Sequence, residues 1–460
     1  MKTNFSQLIS IKILFWVILV LTVGIFGAVS FMQPLKPALP DNSLLLSLLI
    51  VTTTGSVVFL VYFFISALLA YSYIPASPDM AKELPSCTII VPAYNEGKQV
   101  AETLYSLLET DYPAEKMEII AINDGSKDDT WEWIKSVAET SNGRIIPVNL
   151  TRNRGKKHAL YCGIKASKSE IIITVDSDSI ISRDALKNLV APFVDQNIGG
   201  VAGSLRVKNI KAGLIPQMLD VAFVFGCDFI RRAQSVVGSV LCTPGALSAY
   251  RKSAILPYCD EWLQQKFLGV PSNIGEDRAI TTILLRSGFR VVYQNKAVAH
   301  TCVPENYRQL CRMLIRWTRS DVRENYVLGK FAYRRNPLFS FSLLMLQVNL
   351  SMQIFSFILS LIFLPLWIIT VLVSLGSIHY LLLMTLFVTC LWSAIPAVIY
   401  ADTRPKIDLI WAFVFGVYSL FALLWIIPYS IFTVRNSKWL TRDTFAPNLG
   451  KPPIDIRFAQ

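Results

Sequence analysis

The sequence predicts an α/β domain with a mostly parallel sheet, set between groups of membrane-spanning helices. Two observations predict the membrane part: apolar residues make up 53% of the chain and charged residues only 17%, and mean hydropathy is +0.46. Soluble proteins carry about 25% charged residues, so much of this chain must face lipid. The third observation is a central region in which short β-branched runs alternate with helical patterns, as in parallel sheets.

The composition also excludes several classes of protein. The 26 Phe, 17 Tyr and 10 Trp residues can bury far more area than a disordered chain offers. A net charge of +12 is typical of a membrane protein with basic cytoplasmic loops. Nucleic-acid binding is a poor fit, because the sequence has no basic stripe with interleaved aromatic residues. The eight cysteines have no paired spacing, which favours a reducing cytosol over a disulfide framework or a zinc site.

Two apolar runs precede the central region. Residues 11–32 are long enough to cross a bilayer core of about 30 Å. They also exceed the apolar region of a signal peptide, which has about 7–15 residues. Residues 44–71 predict a second span, so residues 1–75 are expected to form a transmembrane hairpin.

The C-terminal spans are expected within residues 336–434. The run at 337–375 would measure about 57 Å as one helix, so we expect it to divide near residues 353–356. An interfacial helix just after Asn336 is the alternative. The basic tail at 435–460 predicts a cytoplasmic end. An even number of C-terminal spans is then required, four here and about six in total.

The α/β domain is expected to occupy residues 76–335. Buried strands are predicted at 87–91, 118–122, 144–150, 170–175 and 199–207, and helices at 99–109 and 130–140. In such a sheet, ligands bind at the carboxyl ends of the strands.

Carboxylates follow three of the predicted strands. The segments at these strand ends are Val91-Pro92-Ala93-Tyr94-Asn95-Glu96, Asn123-Asp124-Gly125-Ser126 and Asp176-Ser177-Asp178. Each could be a simple turn, but three acidic ends at one sheet edge repel one another unless a cation or polar ligand is present. Asp176 and Asp178 would lie on one face of an extended segment. Their oxygen ligands favour Mg²⁺ or Mn²⁺, which would bridge a substrate pyrophosphate.

Other motifs carry polar chemistry. The basic loop at 151–158 indicates phosphate neutralisation, with a solvated loop as the alternative. Gly275-Glu276-Asp277-Arg278 is either an acidic helix cap or the position of a general base for an acceptor hydroxyl. Arg316-Trp317 and Trp439-Leu440-Thr441-Arg442 lie at membrane borders, where such pairs are often interface anchors. His158 and His300 could bind metal, but a structural role is the commoner one.

In this order the motifs resemble membrane-embedded family-2 glycosyltransferases of the processive type, most nearly the hyaluronan synthase and chitin-oligosaccharide synthase group. The resemblance covers residues 86–324, the 439–442 motif and the flanking helices. It implies a GT-A-type (Rossmann-like) domain on the cytoplasmic face of the plasma membrane, in a multi-pass protein. The C-terminal helices would carry the growing polymer outward.

The resemblance implies a role for each matching residue. The residues that would bind the UDP-sugar are Ala93, Tyr94, Glu96, Asp124, Lys156, Asp176, Trp439, Thr441 and Arg442. Asp178 would hold the metal. The catalytic residues would be Asp277, as the base, with Arg316 and Trp317, and the acceptor-binding residues would be Pro244, Gly245, Ala246 and Trp317. Two positions depart from the family pattern: Leu440 replaces a glycine, and Met313 replaces the glutamine of Gln-x-x-Arg-Trp, which bears on processivity and sugar choice.

The sequence therefore predicts an inverting transferase that polymerises UDP-activated GlcNAc and/or glucuronic acid into a β-linked polysaccharide. Its partners would be the donor, the growing polysaccharide and the lipid bilayer, with Mn²⁺ or Mg²⁺ as cofactor. The alternatives are a chitin- or glucan-type synthase that uses one sugar, a non-processive transferase to a lipid acceptor, and an inactive transporter or scaffold. The intact set of Asp124, Asp176, Asp178 and Asp277 argues against the last.

Overall fold

The structure, a computed structural model, describes residues 42–80, 83–373, 378–404, 408–437 and 457–458. The predicted span at 11–32 and the motif at 439–442 lie outside these residues.

A mixed sheet runs through the central domain. Its strands, within the described residues, are β1 (Cys87–Ala93), β2 (Met117–Asn123), β3 (Ile145–Asn149), β4 (Ile171–Thr174), β5 (Ser179–Ile181), β6 (Ile198–Val207), β7 (Ser248–Arg251), β10 (Arg290–Thr301) and β11 (Arg457–Phe458). They lie in the order β11-β3-β2-β1-β4-β7-β6-β10-β5. A separate pair is formed by β8 (Lys266–Phe267) and β9 (Val270–Pro271).

The sheet reverses its strand order between β1 and β4. From β1 the chain adds β2 and β3 on one side and then returns to place β4 on the other, with all four strands parallel. In α/β sheets the ligand crevice forms at such a switch point. Beyond β4, β7 runs antiparallel to both of its neighbours, so the loop that precedes β7 lies at the same edge as the loops that follow β1 and β4.

All five predicted strands are confirmed with small shifts of their ends. Among the described residues, six further strands were not predicted: β5, β7, β8, β9, β10 and β11. Of these, β5, β8, β9 and β11 have only two or three residues each. β7 has only four residues, Ser-Ala-Tyr-Arg, too few to show an alternating pattern. β10 contains the polar Gln294-Asn295-Lys296 segment, where its register with β6 shifts.

Helices cover both faces of the sheet. They are α2 (Gln99–Leu108), α3 (Thr130–Thr140), α4 (Lys156–Ala166), α5 (Ala185–Val190), α6 (Leu214–Ala222), α7 (Ile230–Val236), α8 (Lys252–Ile255), α9 (Cys259–Leu263), α10 (Glu276–Arg286) and α11 (Tyr307–Ala332). A π-helical segment, Phe223–Phe229, joins α6 to α7. Side chains of β1 alternate between two apolar cores: Ile89 packs with α2, α3 and α5, and Ile90 packs with α4, α9 and α10. Both helix predictions are confirmed.

The remaining helices are strongly apolar. They are α1 (Asn42–Ser72), α12 (Phe341–Val373), α13 (Ile378–Thr403), α14 (Ile410–Tyr418) and α15 (Ile426–Phe432). Within the described residues, three segments are long and apolar enough to cross a membrane: Thr53–Ser72, Phe341–Leu372 and Thr385–Thr403. The segments Ile410–Leu423 and Ile426–Phe432 are separated by a break at which the chain bends by 44°. Together they would form a fourth membrane-spanning segment only if the two halves counted as one span. The described residues thus do not contain the full set of about six spans.

The predicted division of residues 337–375 near 353–356 is wrong, because α12 is one continuous helix of 33 residues. Its first part belongs to the central domain: Leu346 and Leu350 are buried in the core shared with α4 and α10, and Ser342 Oγ donates to the carbonyl oxygen of Val237. Residues 354–373 remain, and at about 1.5 Å per residue they measure about 30 Å, one bilayer core. Only a 3₁₀ turn, Pro337–Phe339, precedes α12.

The helices α14 and α15 lie against the amphipathic helices of the central domain. Ile426 packs with Cys311 and Ile315 of α11, and the guanidinium of Arg319 donates to Thr433 Oγ1 at 2.8 Å. The end of α13 meets α6, where the Tyr400 hydroxyl donates to Asp220 Oδ2 at 2.8 Å. These contacts place the C-terminal end of α13 and all of α15 beside the central domain.

Gly275 fixes the junction between α10 and α11. It has a φ of +74°, and a Cβ there would lie 1.7 Å from Ser320 Oγ. We expect Gly275→Ala to destabilise the protein by about 3 kcal/mol or more, because overpacking adds to the backbone strain. Thermal unfolding of the detergent-solubilised protein measures this. Gly288→Ala is the matched control, with a φ of +87° but nothing within 4 Å, and should cost only about 1–2 kcal/mol. Equal losses in the two variants would contradict the packing argument.

Candidate active site

The first part of the site lies where β1 and β2 end. The backbone N–H of Asp124 donates to the carbonyl oxygen of Ala93 at 2.8 Å. The Asp124 carboxylate accepts from the backbone N–H groups of Arg154 at 3.0 Å and Gly155 at 2.8 Å. Burial raises the pKa of Asp124 to about 7, although these N–H groups oppose the rise. Asp124 therefore fixes the loop that leads into Lys156.

Tyr94 and Glu96 lie in the turn after β1. The backbone N–H of Glu96 donates to Thr130 Oγ1 at 2.8 Å, and its Oε1 accepts from Ser177 Oγ at 3.0 Å. Glu96 thus ties the turn after β1 to the Asp-Ser-Asp segment. Direct contact of Tyr94 and Glu96 with UDP stays a prediction.

The Asp176-Ser177-Asp178 segment is a turn. The Ser179 N–H donates to the carbonyl oxygen of Asp176 at 3.2 Å, and Thr103 Oγ1 donates to that of Ser177 at 2.9 Å. The expectation that the two aspartates share one face of an extended segment is therefore wrong, because the chain must turn here to reach β5 at the far edge of the sheet. The described residues contain no group of three or more His, Cys, Asp or Glu side chains placed for a metal. An ion here would need ligands beyond these two carboxylates.

Lys156 begins α4 and lies between two carboxylates. Its Nζ is 2.5 Å from Asp176 Oδ1 and 2.7 Å from Glu276 Oε1. Burial disfavours the charged amine, but the carboxylates of Asp176, Glu276 and Asp277 hold the pKa of Lys156 above its ordinary value. The lysine is therefore charged, and it draws the end of β4 to the start of α10. Glu276 was named from the sequence only as part of the Gly-Glu-Asp-Arg motif, and its ion pair with Lys156 was not predicted.

Asp277 joins α10 to the loop before β7. Its Oδ1 accepts from the Arg278 N–H at 2.8 Å, as a helix cap would, and its Oδ2 accepts from the Gly245 N–H at 3.2 Å. A Cβ at Gly245 would lie 2.6 Å from Lys156 Nζ, so a side chain there would push the lysine away from its present contacts with the two carboxylates. Burial and the Glu276 carboxylate raise the pKa of Asp277 to about 6, while Lys156 opposes the rise. A carboxylate with this pKa is a better proton acceptor at neutral pH than an ordinary aspartate.

These contacts bring residues predicted to bind the donor and residues predicted to bind the acceptor to one place. A small cavity is lined by Lys156, Asp176, Gly245 and Asp277, among others. Ala246 is buried behind the loop. The carbonyl oxygen of Pro244 accepts from Ser248 Oγ, which holds the loop against β7.

Arg316 and Trp317 lie on α11. Arg316 is partly buried, and the ring of Trp317 contacts that of Phe223, with centroids 6.2 Å apart. Met313, one turn earlier, is buried in an apolar cluster with Leu310 and Phe223. A thioether fits such a cluster, whereas a glutamine amide would need polar partners there. Position 313 is thus an apolar contact between α6 and α11.

The histidines singled out by the sequence lie outside any metal cluster in the described chain. The His158 ring contacts the side chains of Arg154 and Cys162. Burial and the charges of Arg154 and Arg152 lower the pKa of His158 to about 4, so its ring is neutral at pH 7. All eight cysteines are free thiols.

The fold and these strand ends match known proteins. The sequence profile described as "Glycosyl transferase family 2" matches residues 88–256. An N-acetylglucosaminyltransferase of Azorhizobium caulinodans is 31% identical over 364 residues, which cover 78% of this chain and 88% of that protein. The chain belongs to glycosyltransferase family 2.

Two further matches agree with this family. A hyaluronan synthase of Streptococcus pyogenes is 30% identical, over 77% of this chain and 82% of that protein. Among solved structures, a mannosyltransferase from Pyrobaculum calidifontis in complex with GDP-Man and Mn²⁺ has the same fold, with a TM-score of 0.53 and 22% identity over 78% of this chain and 99% of its own. The protein is therefore a membrane-associated glycosyltransferase with a GT-A-like mixed sheet.

The position of Asp277 predicts how the transfer rate depends on pH. A base accepts a proton only when ionised, so kcat/KM for the acceptor should rise with pH through about 6 and level off above about 7. Asp277→Asn should remove this rise and lower the rate about 10²- to 10⁴-fold, with UDP affinity within about threefold of wild type.

The pH series needs UDP affinity measured at each pH, because the pKa of Asp124 is also near neutrality and this residue is predicted to bind UDP. A rise in transfer rate that persists in Asp277→Asn would assign the base to another residue.

Proposed function

We propose that the protein is a processive, inverting glycosyltransferase that builds a β-linked polymer from UDP-N-acetylglucosamine and passes it through its membrane helices. The observation that carries the proposal is the meeting of Lys156, Asp176, Gly245 and Asp277 at one sheet edge. In this proposal Lys156 is the cation that neutralises phosphate, and Asp176 lies at the end of the donor strand. Both are adjacent to the acceptor loop at Gly245 and to Asp277, a base with a raised pKa. Residues 76–335 would form the catalytic domain, with membrane segments on either side.

Each reacting group has a candidate in this arrangement. Asp277 takes the proton of the acceptor hydroxyl while that oxygen attacks the anomeric carbon. A new glycosidic C–O bond forms, the bond from the anomeric carbon to the phosphate oxygen breaks, and UDP leaves with the electron pair. Lys156, held by Asp176 and Glu276, offers positive charge to the leaving diphosphate. Attack in line on an α-linked donor gives a β-linked product.

A divalent cation fits the donor set at the Asp-Ser-Asp turn. Asp176 and Asp178 supply hard oxygen ligands, and Mg²⁺ or Mn²⁺ is commonly bound by one or two carboxylates together with substrate phosphates. Because substrate phosphates would supply further ligands, two protein carboxylates are enough for a site of this kind. When bound, the cation would neutralise charge on the departing diphosphate. The Mn²⁺ in the related mannosyltransferase complex supports this assignment.

The choice of N-acetylglucosamine rests on the relatives. Several proteins about 30% identical to this chain, the Azorhizobium protein among them, are named N-acetylglucosaminyltransferase. The related hyaluronan synthase favours a second candidate, a polymer that alternates two sugars.

The contacts of the C-terminal helices support a four-span topology. The predicted span at 11–32 and α1 would form the first hairpin, and α12 and α13 the second. The bent α14–α15 segment packs on α11 and α6 and would lie at the membrane surface. This arrangement keeps an even number of C-terminal spans, which returns the basic tail to the side of the catalytic domain.

The product identifies the function. Purified protein should release UDP from UDP-N-acetylglucosamine alone and form β-linked products that extend well beyond a disaccharide on a gel. Protein carrying Asp277→Asn, prepared in parallel, supplies the background. Products that form only when UDP-glucuronate is added would favour the alternating polymer, and a single sugar transferred to a lipid would exclude processive synthesis.

Removal of divalent metal tests the role of the Asp-Ser-Asp turn. Excess chelator should abolish turnover, and Mn²⁺ or Mg²⁺ should restore it. Asp178→Asn should raise the Mn²⁺ concentration that gives half-maximal activity about tenfold or more, as expected for a lost charged ligand. Asp195→Asn, which removes a surface carboxylate paired with Arg290, is the control and should leave that concentration unchanged. Full activity in excess chelator would exclude a metal-dependent mechanism.

A further inference from the structure

The arginine that follows the proposed base is buried and is held by three other parts of the chain. The side chain of Arg278 is 2% exposed. Its Nη1 donates to the carbonyl oxygen of Leu241. Its Nη2 donates to Asn325 Oδ1 at 2.8 Å and to Gln353 Oε1 at 3.3 Å. The guanidinium therefore connects the start of α10 with the loop before β7, with α11 and with the long apolar helix α12.

Burial makes these three contacts necessary. The ion pair of Arg278 with Asp321 is long, at 3.8 Å from Nε to Oδ1, which is beyond hydrogen-bond distance. Three neutral oxygens thus accept the hydrogen bonds of a buried positive charge. A buried charged donor that loses its acceptor bears the full cost of its desolvation, so the guanidinium stays where all three oxygens are within reach. This requirement fixes the first turn of α10.

The first turn of α10 holds the loop before β7 at two points. Asp277 Oδ2 accepts from the Gly245 N–H at 3.2 Å, and Arg278 donates to Leu241, four residues earlier on the same loop. The base and the loop that we propose to bind the acceptor therefore form one unit. The position of this unit is set by its contacts with α11 and α12, through Arg278.

Gln353 lies where α12 leaves the central domain. Leu346 and Leu350, which precede it, are buried in the core of the domain, and the residues that follow it form the apolar segment at 354–373. Gln353 is half-buried, and its amide oxygen is the atom of α12 that accepts from Arg278. The polar position at which a break in the helix was expected is thus a contact with the candidate site.

We propose that Gln353 is a positioning residue for the transfer. Through Arg278 it holds Asp277 and the loop at Gly245 in the arrangement in which the acceptor hydroxyl loses its proton. A displacement of about 1 Å in such an arrangement can lower the rate about 10²-fold. The inference rests on the proposed function and adds to it that α12, an apolar helix, takes part in setting the rate of the chemical step.

Loss of the amide oxygen tests this role. Leucine suits a half-buried position on an apolar helix but accepts no hydrogen bond. Gln353→Leu should lower kcat about tenfold, because Nη2 keeps only Asn325 and the first turn of α10 can shift. KM for UDP-N-acetylglucosamine and UDP affinity should stay within about threefold of wild type, because the residues proposed to bind the donor lie elsewhere. Gln353→Glu keeps an oxygen at the same reach and should restore kcat to within about threefold of wild type.

The matched control is Gln347→Leu, the same substitution on the same helix. Gln347 Nε2 donates to the carbonyl oxygens of Ala332 and Arg335 near the end of α11 and does not contact Arg278. Its loss reports what loosening α12 does by itself, and kcat should stay within about threefold of wild type. Melting temperatures of both variants measure the change in stability. Equal falls in kcat in the two leucine variants would overturn the inference, and so would an unchanged kcat in Gln353→Leu.

A double-mutant cycle shows whether Gln353 acts through Asp277. In Asp277→Asn the base is absent, so the added Gln353→Leu change should lower the remaining transfer rate by less than about twofold. A further tenfold fall in the double variant would mean that Gln353 acts independently of Asp277, which contradicts the positioning role.

The proposed function is tested separately in the same preparation. If the wild-type protein releases no UDP from any UDP-sugar, the proposed function fails. If it extends acceptors at a rate that Asp277→Asn lowers, while Gln353→Leu turns over as wild type, the transferase stands and only the role of Gln353 fails.

Discussion

A buried lysine between carboxylates is the contact on which the rest of the site depends. Lys156 lies within 2.7 Å of both Asp176 and Glu276, and these residues come from α4, the end of β4 and the start of α10. A buried charge is tolerated only when it is paired and hydrogen-bonded, so the three elements can meet only with this lysine present. The loop at Gly245 then closes over the pair because it has no side chain. Lys156 thus stabilises this part of the fold, and it is the same side chain that we propose to offer positive charge to the leaving diphosphate.

The catalytic domain and the membrane helices form one continuous structure. The first part of α12 is packed into the core of the domain, and Gln353 of the same helix accepts from Arg278, next to Asp277. The helix therefore extends without a break from beside Asp277 into an apolar segment that is long enough to cross a membrane. A span packed in this way cannot tilt independently of the site, so membrane position and active-site geometry are coupled.

The sequence predicted the parts that follow from local pattern. β-branched runs identified five of the six parallel strands, and acidic residues after three of them located the edge of the sheet at which the candidate site lies. Prediction from the sequence failed where contacts between distant parts of the chain determine the local structure. The length of α12 suggested two elements because the burial of Leu346 and Leu350 cannot be read from hydropathy. The Asp-Ser-Asp spacing suggested an extended segment because nothing local shows that β5 must pair with β10.

The reversed strand β7 has a consequence for how such enzymes could diversify. The residues that we propose to bind the donor follow β1, β2 and β4, whereas the loop that we propose to bind the acceptor precedes β7, which runs the other way. The two sets of loops share one edge of the sheet but belong to strands of opposite direction, and β7 is short. If these roles hold, most of the loop before β7 can be exchanged in evolution while the turns after β1, β2 and β4 stay intact. The same separation gives a protein engineer a natural boundary at which to graft a new acceptor loop onto an existing nucleotide-sugar site.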